Sequence, residues 1–285
     1  FQSDLKHEFL ENFQVLHLEQ LFSSSTSCIF DFSRLGKIEL KNNDVNFSLK
    51  RDGIAELQKL YNVVYLESPI YFKLKRALRN IRLANFSFRR KGFLNQVPKY
   101  FYDLEQLLDS KISGNNNQFS DVLKLIENTI NGSLNITNGD ITFTDHEQQN
   151  SEIPLNMVSS GISNLGLIAL LIKQNILSKG SYLFIDEPEV NLHTEWQHVM
   201  LDVLVELSKL GVMVVIATHS LDIIYRFEHL VSKEKSLVSE NHFSLNRLSQ
   251  NGTSIEADEL IVDIRRAKED LGRPYVRLLK ERLPS

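Results

Sequence analysis

The chain has 285 residues, of which 42% are hydrophobic and 24% are charged, and its formal net charge at pH 7 is −4. This length accommodates one substantial domain plus an insertion or a second small domain. The single cysteine, Cys28, excludes an internal disulfide framework, and the sequence shows neither a signal peptide nor an apolar run long enough to span a bilayer. We therefore expect a cytoplasmic protein that does not enter a membrane.

The amino-terminal part of the chain is predicted to be rich in strands. Phe1-Gln2-Ser3 matches the end of a common protease-cleavable tag, so residues 1–3 are interpreted as a tag remnant and the natural sequence is expected to begin near Asp4. In residues 4–69, short apolar runs alternate with turn residues. The predicted strands are Cys28–Phe32, Lys37–Leu40, Val45–Leu49 and Asn62–Leu66.

Residues 70–130 are predicted to form a helical insertion or arm. Eight basic residues occur there with no acidic residue between them, interleaved with aromatic residues: Lys73, Lys75, Arg76, Arg79, Arg82, Arg89, Arg90 and Lys91. Such a pattern can bind phosphates and stack bases, which makes nucleic acid a candidate partner. The alternative is an amphipathic helix with a core-facing apolar side and a solvated or paired basic side, and the negative net charge supports it.

Residues 131–285 begin with a predicted hairpin around the two-residue turn Asn138-Gly139. A largely apolar helix is expected from about Leu165 to Leu177, ended by Gly180. The turn before it, Ser159-Ser160-Gly161, leaves backbone N–H groups and hydroxyls free to hold an anion at the positive end of the helix dipole. Taken alone, this turn is more typical of an ordinary serine N-cap.

Two adjacent carboxylates follow the uninterrupted apolar run Tyr182–Ile185. Such a run is typical of a parallel strand covered on both faces, and parallel sheets carry their chemistry at the carboxyl ends of the strands. At that end Asp186 suits a Mg²⁺ that keeps waters and phosphate oxygens, and Glu187 can orient a water for attack on a phosphoryl group. Acidic residues before a proline also end strands for purely structural reasons.

A helix is predicted between this strand and a second apolar run. Thr194 and Gln197 fit a capping box at its start, apolar residues recur at helical spacing, and Gly211 stands where the helix would stop. Strand, helix and strand form a crossover unit, which lays the two strands parallel.

The second apolar run, Val214–Ala217, is therefore expected to bring His219 to the same sheet edge as Glu187. From there the imidazole can donate a hydrogen bond to a terminal phosphate oxygen, although a lone histidine after a strand is more often structural. Beyond it, Asn251-Gly252 predicts another hairpin, and the residues from Asp258 to Asp270 predict a charged helix.

In this order the motifs resemble those of a known family. The turn Val158-Ser159-Ser160-Gly161, the strand with its continuation Asp186-Glu187-Pro188-Glu189-Val190-Asn191-Leu192-His193, and the segment Ala217-Thr218-His219-Ser220 resemble the ABC-type branch of P-loop ATPases. The Glu-Pro-Glu-x-x-Leu-His continuation is more narrowly similar to the prokaryotic AAA-family ATPases of the OLD-like group. That group includes ATPase subunits of the Septu and retron anti-phage defence systems.

The resemblance implies an α/β fold of the P-loop NTPase type, an ABC-type head with a parallel sheet, flanking antiparallel strands and a helical insertion, incomplete at its amino terminus. Residues 4–69 and 131–285 would form the ATPase head. ATP and Mg²⁺ would be its cofactors, with Asp186 as the Walker B magnesium ligand, Glu187 as the catalytic base and His219 as the switch histidine. Ser159, Ser160 and Gly161 would be the signature that meets ATP on a partner subunit. The implied partners are a second copy of the chain, in a homodimer of ATPase heads, and a nuclease or other effector.

The sequence departs from the family pattern in three places. Ser160 and Ile162 stand where ABC signatures usually carry a second glycine and a glutamine or glutamate, and Glu67-Ser68-Pro69 replaces a glutamine that often follows a core strand. The sequence also contains no G-x-x-x-x-G-K-[ST] phosphate loop, since Gly36-Lys37 lacks its other residues. The loop is expected ahead of a segment like this one. A truncated chain, a disordered loop left out of the sequence, or a natural subunit without the motif would each explain its absence.

Three functions stay open on these grounds. The first is an ATPase that closes as a dimer around ATP and passes a signal to an effector or to nucleic acid. The second is a non-hydrolysing scaffold or interaction subunit that lacks the phosphate loop. The third is a metal-dependent nuclease that uses Asp186, Glu187 and Glu189, and it is disfavoured because strand alternation points neighbouring side chains apart.

Overall fold

The structure is a computed structural model, and it describes residues 2–22, 27–32, 35–51, 53, 62–67, 73, 98–109, 116–148, 151–235, 238, 242–249, 251–256 and 259–282. Within these ranges the α-helices are α1 (Gln2–Phe13), α2 (Lys99–Asp109), α3 (Ser120–Ile130), α4 (Ser160–Lys173), α5 (Thr194–Lys209), α6 (Leu221–Lys233) and α7 (Leu260–Arg282). The strands are β1 (Ser27–Asp31), β2 (Gly36–Lys41), β3 (Asp44–Leu49), β4 (Val63–Leu66), β5 (Gly132–Thr137), β6 (Asp140–Asp145), β7 (Glu152–Pro154), β8 (Tyr182–Asp186) and β9 (Met213–Ala217).

A parallel sheet of order β4-β8-β9 forms the centre of the molecule. Strand β8 lies in the middle, with Leu183 opposite both Val64 of β4 and Val214 of β9. The segment from β8 through α5 to β9 is therefore the predicted crossover unit, and the parallel arrangement is confirmed. The fold is α/β, as predicted, with two antiparallel sheets, β1-β2-β3 and β5-β6-β7, beside the parallel one.

One face of the parallel sheet packs against helices, and on the other face, called here the open face, several described side chains are about half exposed. The covered face carries Leu183 and Ile185, which are 0% and 6% exposed and join a core with residues of α3, α4 and α5. On the opposite face, Val63, Met213 and Val215 are 54%, 55% and 52% exposed. The prediction that β8 belongs to a sheet covered on both faces is therefore wrong for the open face, to which strand alternation assigns Phe184 and Asp186.

The antiparallel strands follow the predicted pattern closely. In the first of these sheets, β1 pairs with β2 and β2 pairs with β3, and the core beneath them is formed by Leu18, Leu40 and Val45 together with apolar residues of α1. In the other, Asn138 and Gly139 have φ angles of 52° and 83°, which suit the tight turn predicted between β5 and β6. The later hairpin reduces to a single bridge between Leu248 and Ser254.

The stretch predicted as an insertion is described only in part. Of its eight basic residues only Lys73 lies within the described ranges, and the other seven lie outside them. Helix α3 lies at the carboxyl end of the stretch. Its residues Ile126 and Ile130, and Phe119 just before it, belong to the main core and are 0%, 4% and 0% exposed. The last residues of the predicted arm therefore pack as part of the central body.

Three helix ends differ from the predictions. The N-cap of α5 is His193, whose side chain accepts a hydrogen bond from Glu195 N, so the capping box of Thr194 and Gln197 is wrong. Helix α4 runs from Ser160 to Lys173 rather than to Leu177, because Asn175 adopts a left-handed φ of 56°. Helix α7 continues past Asp270 to Arg282.

The ends of the molecule add two observations. Helix α1 begins at Gln2, within the residues interpreted as a tag remnant, and that interpretation stays a prediction. None of the described helices is both long enough and apolar enough to cross a bilayer.

Candidate functional site

The carboxyl end of β8 is acidic. Asp186 is the last residue of the strand, with Ala217 of β9 as its register partner, and Glu67 follows the neighbouring strand β4. Burial raises the pKa of the Tyr65 phenol, and the negative charges of Asp186 and then Glu67 raise it further. Asp186 and Glu67 thus lie close enough to Tyr65 for both of their negative charges to act on one phenol, at the edge of the exposed face of the sheet.

Glu187 adopts an unusual backbone conformation directly after the strand. Its φ is 47°, in the left-handed region, while its N–H donates to Ala217 O over 2.8 Å. A residue with a β-carbon is held there at a cost of about 1–2 kcal/mol. Such strain persists where the surroundings over-determine it, and it concentrates at functional sites. The side chain of Glu187 is exposed to solvent.

The segment after β8, residues 187–193, is called here the β8–α5 loop. It contains two turn hydrogen bonds, from Val190 N to Glu187 O and from Leu192 N to Glu189 O, both of 3.0 Å. Asn191 has a φ of 63°, so the loop holds a second left-handed residue. The loop is thus tightly folded rather than extended.

Glu189 connects this loop to the segment after β9. Its Oε1 accepts hydrogen bonds from Thr218 Oγ1 over 2.7 Å and from the N–H of His219 over 3.1 Å. His219 itself is exposed, and Ser220 after it caps α6 by accepting from Ile223 N. The structure therefore places His219 at the same sheet edge as Asp186 and Glu187, as the crossover argument predicts.

The turn before α4 lies against the other side of the β8–α5 loop. Ser159 is the N-cap of α4, and its Oγ accepts from Ile162 N over 3.2 Å. A β-carbon added at Gly161 would lie 3.1 Å from Asn191 O and 3.4 Å from the Trp196 ring, so glycine permits this close approach. The turn lines an open cleft of about 390 Å³ that is formed by Ser159, Ser160, Gly161, Asn191, His193 and Trp196.

The predicted site residues are joined through the loop rather than directly. No hydrogen bond among the described residues links Ser159, Ser160 or Gly161 to Asp186 or His219. Instead Asn164, inside α4 and 7% exposed, donates from Nδ2 to Pro188 O over 3.3 Å and to Val190 O over 3.2 Å. Asn164 is not among the residues predicted for the site, although an amide inside a largely apolar helix is a usable signal because a buried amide needs partners.

Glu189 and Lys73 form contacts that the sequence does not indicate. Glu189 belongs to the family-like motif and to the nuclease alternative, and its carboxylate accepts hydrogen bonds from Thr218 and the His219 backbone. Lys73, assigned to the basic stretch, donates from Nζ to Val158 O over 2.5 Å, next to the turn before α4. Glu189 and its partners Thr218 and His219 are 29 and 30 positions apart in the sequence, so no local pattern predicts this contact.

The donor set at the edge of β8 suits a hard cation that shares its shell with other oxygens. Asp186 offers a half-buried carboxylate, and no described lysine or arginine forms an ion pair with it. Mg²⁺ is commonly held by one or two carboxylates plus waters and substrate phosphates. The described residues contain no group of three or more His, Cys, Asp or Glu that could hold a metal ion by themselves. The edge therefore fits Mg²⁺ arriving with a phosphate ligand better than a metal held by protein alone.

Comparisons with known proteins agree with this arrangement at the level of family. The family described as AAA ATPase domain matches residues 1–224. No match was found among curated proteins. A structure titled SMC head domain from Thermotoga maritima is 17% identical, covering 71% of this chain and 68% of that chain with a TM-score of 0.34.

Two further solved structures are similarly distant. One is an SMC head bound to the C-winged helix domain of ScpA, with 13% identity, coverage of 79% of this chain and 80% of that chain, and a TM-score of 0.40. The other is a dimeric post-hydrolysis state of an ATP-binding cassette bound to ADP and phosphate, with 14% identity, coverage of 66% and 64%, and a TM-score of 0.26.

Proposed function

Since the chain belongs to the AAA ATPase domain family, we propose that the edge of the parallel sheet around Asp186, Glu187 and His219 is the water-and-metal side of an ATP-hydrolysing site. The observation that carries the proposal is the contact of Glu189 with Thr218 and with the His219 backbone. This contact holds the segment after β9 beside the two carboxylates that end β8.

Each residue has a role that its position supports. Asp186 would ligate Mg²⁺, and the bound ion would supply positive charge to the phosphate oxygens. Glu187 has an exposed carboxylate on a rigid turn, so it can accept a proton from the attacking water and orient that water. His219 is exposed at the same edge and donates a hydrogen bond to the terminal phosphate.

We assign the turn Ser159-Ser160-Gly161 to nucleotide held by a second copy of the chain. The turn faces an open cleft and begins a helix of 14 residues, whose positive end favours phosphate. Ser159 Oγ already accepts from Ile162 N and remains able to donate its proton. A homodimer of heads would bring this cleft onto ATP bound at the partner's Asp186 edge.

Residues 1–285 contain no glycine-rich phosphate loop, so the phosphates lack a cradle within this sequence. If a phosphate loop completes the site, its position is restricted by the structure. Asp186 belongs to the face of the sheet on which Val63, Met213 and Val215 are about half exposed. A helix that covers these apolar side chains and begins at the acidic edge would present its N–H groups and a lysine to phosphates held by Asp186 and Mg²⁺.

The wider role follows from the resemblance and is part of the proposal. Closure of the dimer would pass a signal to a nuclease or another effector, in a system of anti-phage defence of the OLD-like group. Nucleic acid stays a proposed partner through the basic stretch, seven of whose eight residues lie outside the described ranges.

A non-hydrolysing scaffold is the second candidate, and one observation favours it. The open sheet face offers apolar side chains for docking while the chain lacks a phosphate loop. A natural protein without that loop would keep the sheet and its edge as an interaction surface. The nuclease candidate loses support because the Glu189 carboxylate is engaged with Thr218 and His219.

The test of the proposed function compares Glu187→Gln with Glu195→Gln in the natural full-length gene product. Glu195 is an exposed glutamate in the first turn of α5 and serves as a matched control. Loss of the general base is expected to lower kcat for ATP by about 10²–10⁴-fold with MgATP binding retained, whereas the control keeps normal turnover. Unchanged turnover in Glu187→Gln would show that the base is assigned wrongly. Absence of MgATP binding by the natural protein would favour the scaffold.

A further inference from the structure

Asn164 of α4 and Glu189 of the β8–α5 loop attach this loop to two different parts of the proposed site. Asn164 donates to the carbonyl groups of Pro188 and Val190, which ties the loop to helix α4. Glu189 accepts from Thr218 and from the N–H of His219, which ties the same loop to the segment after β9. The two attachments are adjacent in the loop, because Glu189 stands between the residues whose carbonyl groups accept from Asn164.

The loop has little freedom to absorb a displacement. Glu187 and Asn191 adopt left-handed φ angles of 47° and 63°, and two turn hydrogen bonds constrain residues 187–192. Glu187 N is fixed to Ala217 O, and Gly161 of α4 allows the Asn191 carbonyl to approach within contact distance. A shift of the first turn of α4 is therefore passed on to the loop rather than lost in it.

The energetics favour transmission through these two side chains. Asn164 is 7% exposed, so an amide that lost its two carbonyl acceptors would leave buried donors unpaired. Such a group costs roughly 1–3 kcal/mol. Glu189 Oε2 is buried and has no hydrogen-bond partner among the described residues, so Oε1 carries the polar contacts described for this carboxylate. A movement of the loop alone would break the hydrogen bonds to α4 and those to the segment after β9.

We infer that Asn164 and Glu189 are positioning residues that couple the turn Ser159-Ser160-Gly161 to His219 through the β8–α5 loop. This inference rests on the proposed function, because it is the second copy's nucleotide that would displace the turn. Contact with that nucleotide then sets the position of His219 and Glu187 at the edge of the same chain. Neither positioning residue touches the substrate.

The coupling is tested without nucleotide, by amide hydrogen exchange measured by NMR on the protein of 285 residues. Asn164→Asp keeps the size of the side chain but removes both donors. Asn164 forms no hydrogen bond with His219, so its effect on the His219 amide is indirect. Exchange of that amide is expected to accelerate at least about threefold, a smaller acceleration than the loss of a direct hydrogen bond would cause. Glu189→Ala is expected to accelerate it at least about fivefold, while Glu189→Gln, which retains an acceptor oxygen, restores slow exchange.

Asn116→Asp is the matched control. Asn116 also donates from Nδ2 to two carbonyl groups, those of Ile172 and Leu177, but at the opposite end of α4. Its loss is expected to lower the thermal unfolding temperature without changing exchange at His219. If Asn164→Asp leaves the His219 amide as slow as in the wild type, or if Asn116→Asp accelerates it equally, the coupling is refuted.

A reciprocal measurement covers the case in which Asn164→Asp does not fold. Coupling between two sites acts equally in both directions. Glu189→Ala must therefore also accelerate exchange of the Ile162 and Ser163 amides, which donate to Ser159 Oγ and Ser159 O. Unchanged exchange at these two amides overturns the inference. Absence of MgATP binding by the natural full-length protein, or unchanged turnover in Glu187→Gln, would count against the proposed function and leave this exchange result unaffected.

Discussion

Because the backbone of Glu187 is left-handed, glycine at this position is expected to give a more stable protein than alanine, the reverse of the usual order. In the left-handed region a residue with a β-carbon is strained by about 1–2 kcal/mol, which glycine escapes. Glycine in turn loses about 0.5–1 kcal/mol more than alanine through the entropy of its unfolded chain. With φ at 47°, Glu187→Gly is therefore expected to be more stable than Glu187→Ala by about 0.5–1 kcal/mol.

Glu269 provides the control for this comparison. It is an exposed residue of α7, where the backbone is helical and glycine has no strain to relieve. There Glu269→Gly is expected to be less stable than Glu269→Ala by about 1 kcal/mol. Using alanine as the reference at both positions removes the contribution of each lost carboxylate.

The assay is chemical denaturation of the four variants, with the free energy of unfolding extrapolated to water. Thermal unfolding gives a second measurement, in which about 1 kcal/mol corresponds to roughly 2–4 °C for a chain of this size. The decisive quantity is the sign of the glycine-minus-alanine difference at each position. A negative effect of glycine at Glu187, as large as that at Glu269, would refute the left-handed conformation and the strain attributed to it.

Two other predictions concern the core and the acidic edge. A β-carbon at Gly166 would lie 2.7 Å from Cγ of Leu134, which is 0% exposed. Gly166→Ala is therefore expected to lower the free energy of unfolding by about 1–3 kcal/mol, and Leu134→Val in the same protein is expected to restore part of it. Equal stability of Gly166→Ala and wild type would contradict this packing. Because negative charge on Asp186 helps to raise the pKa of Tyr65, Asp186→Asn is expected to shift the Tyr65 phenolate titration to lower pH, measured by ultraviolet absorbance against Tyr65→Phe. Because the pKa of Tyr65 is raised in the folded protein, its contribution to stability is present below the ordinary phenol pKa of 10.0 and is lost as the pH rises through the raised pKa. An unchanged Tyr65 titration in Asp186→Asn would show that the two groups do not interact.

Local patterns predicted most of the elements because their signals lie within a few residues. The apolar runs of β8 and β9 with a helical period between them were sufficient for the crossover unit, since its handedness and parallel strands follow from chain geometry. Asn138-Gly139 placed its hairpin correctly, because both residues accept positive φ. The N-cap of α5 is His193, one residue before the predicted Thr194, since both residues can cap and the loop before the helix decides between them.

The open face of the parallel sheet was outside the reach of such patterns. The apolar run Tyr182–Ile185 would have the same sequence whether the second face of the sheet is covered or exposed, because any covering element comes from another part of the chain. Only the exposure of Val63, Met213 and Val215 shows which face lacks a cover. The position of Asp186 on that face follows from the same alternation.

The sequence alone is sufficient for the α/β fold class and for the family of AAA ATPase domains, because motif order, strand patterns and turn residues lie in contiguous segments. The tertiary structure decided how the motifs meet. Asn164 and Glu189 contact partners 24 to 30 residues away, through single hydrogen bonds that leave no periodic trace in the chain. Short-range preferences place each carboxylate and histidine on an element, and only folding brings those elements to one edge and ties them through one loop.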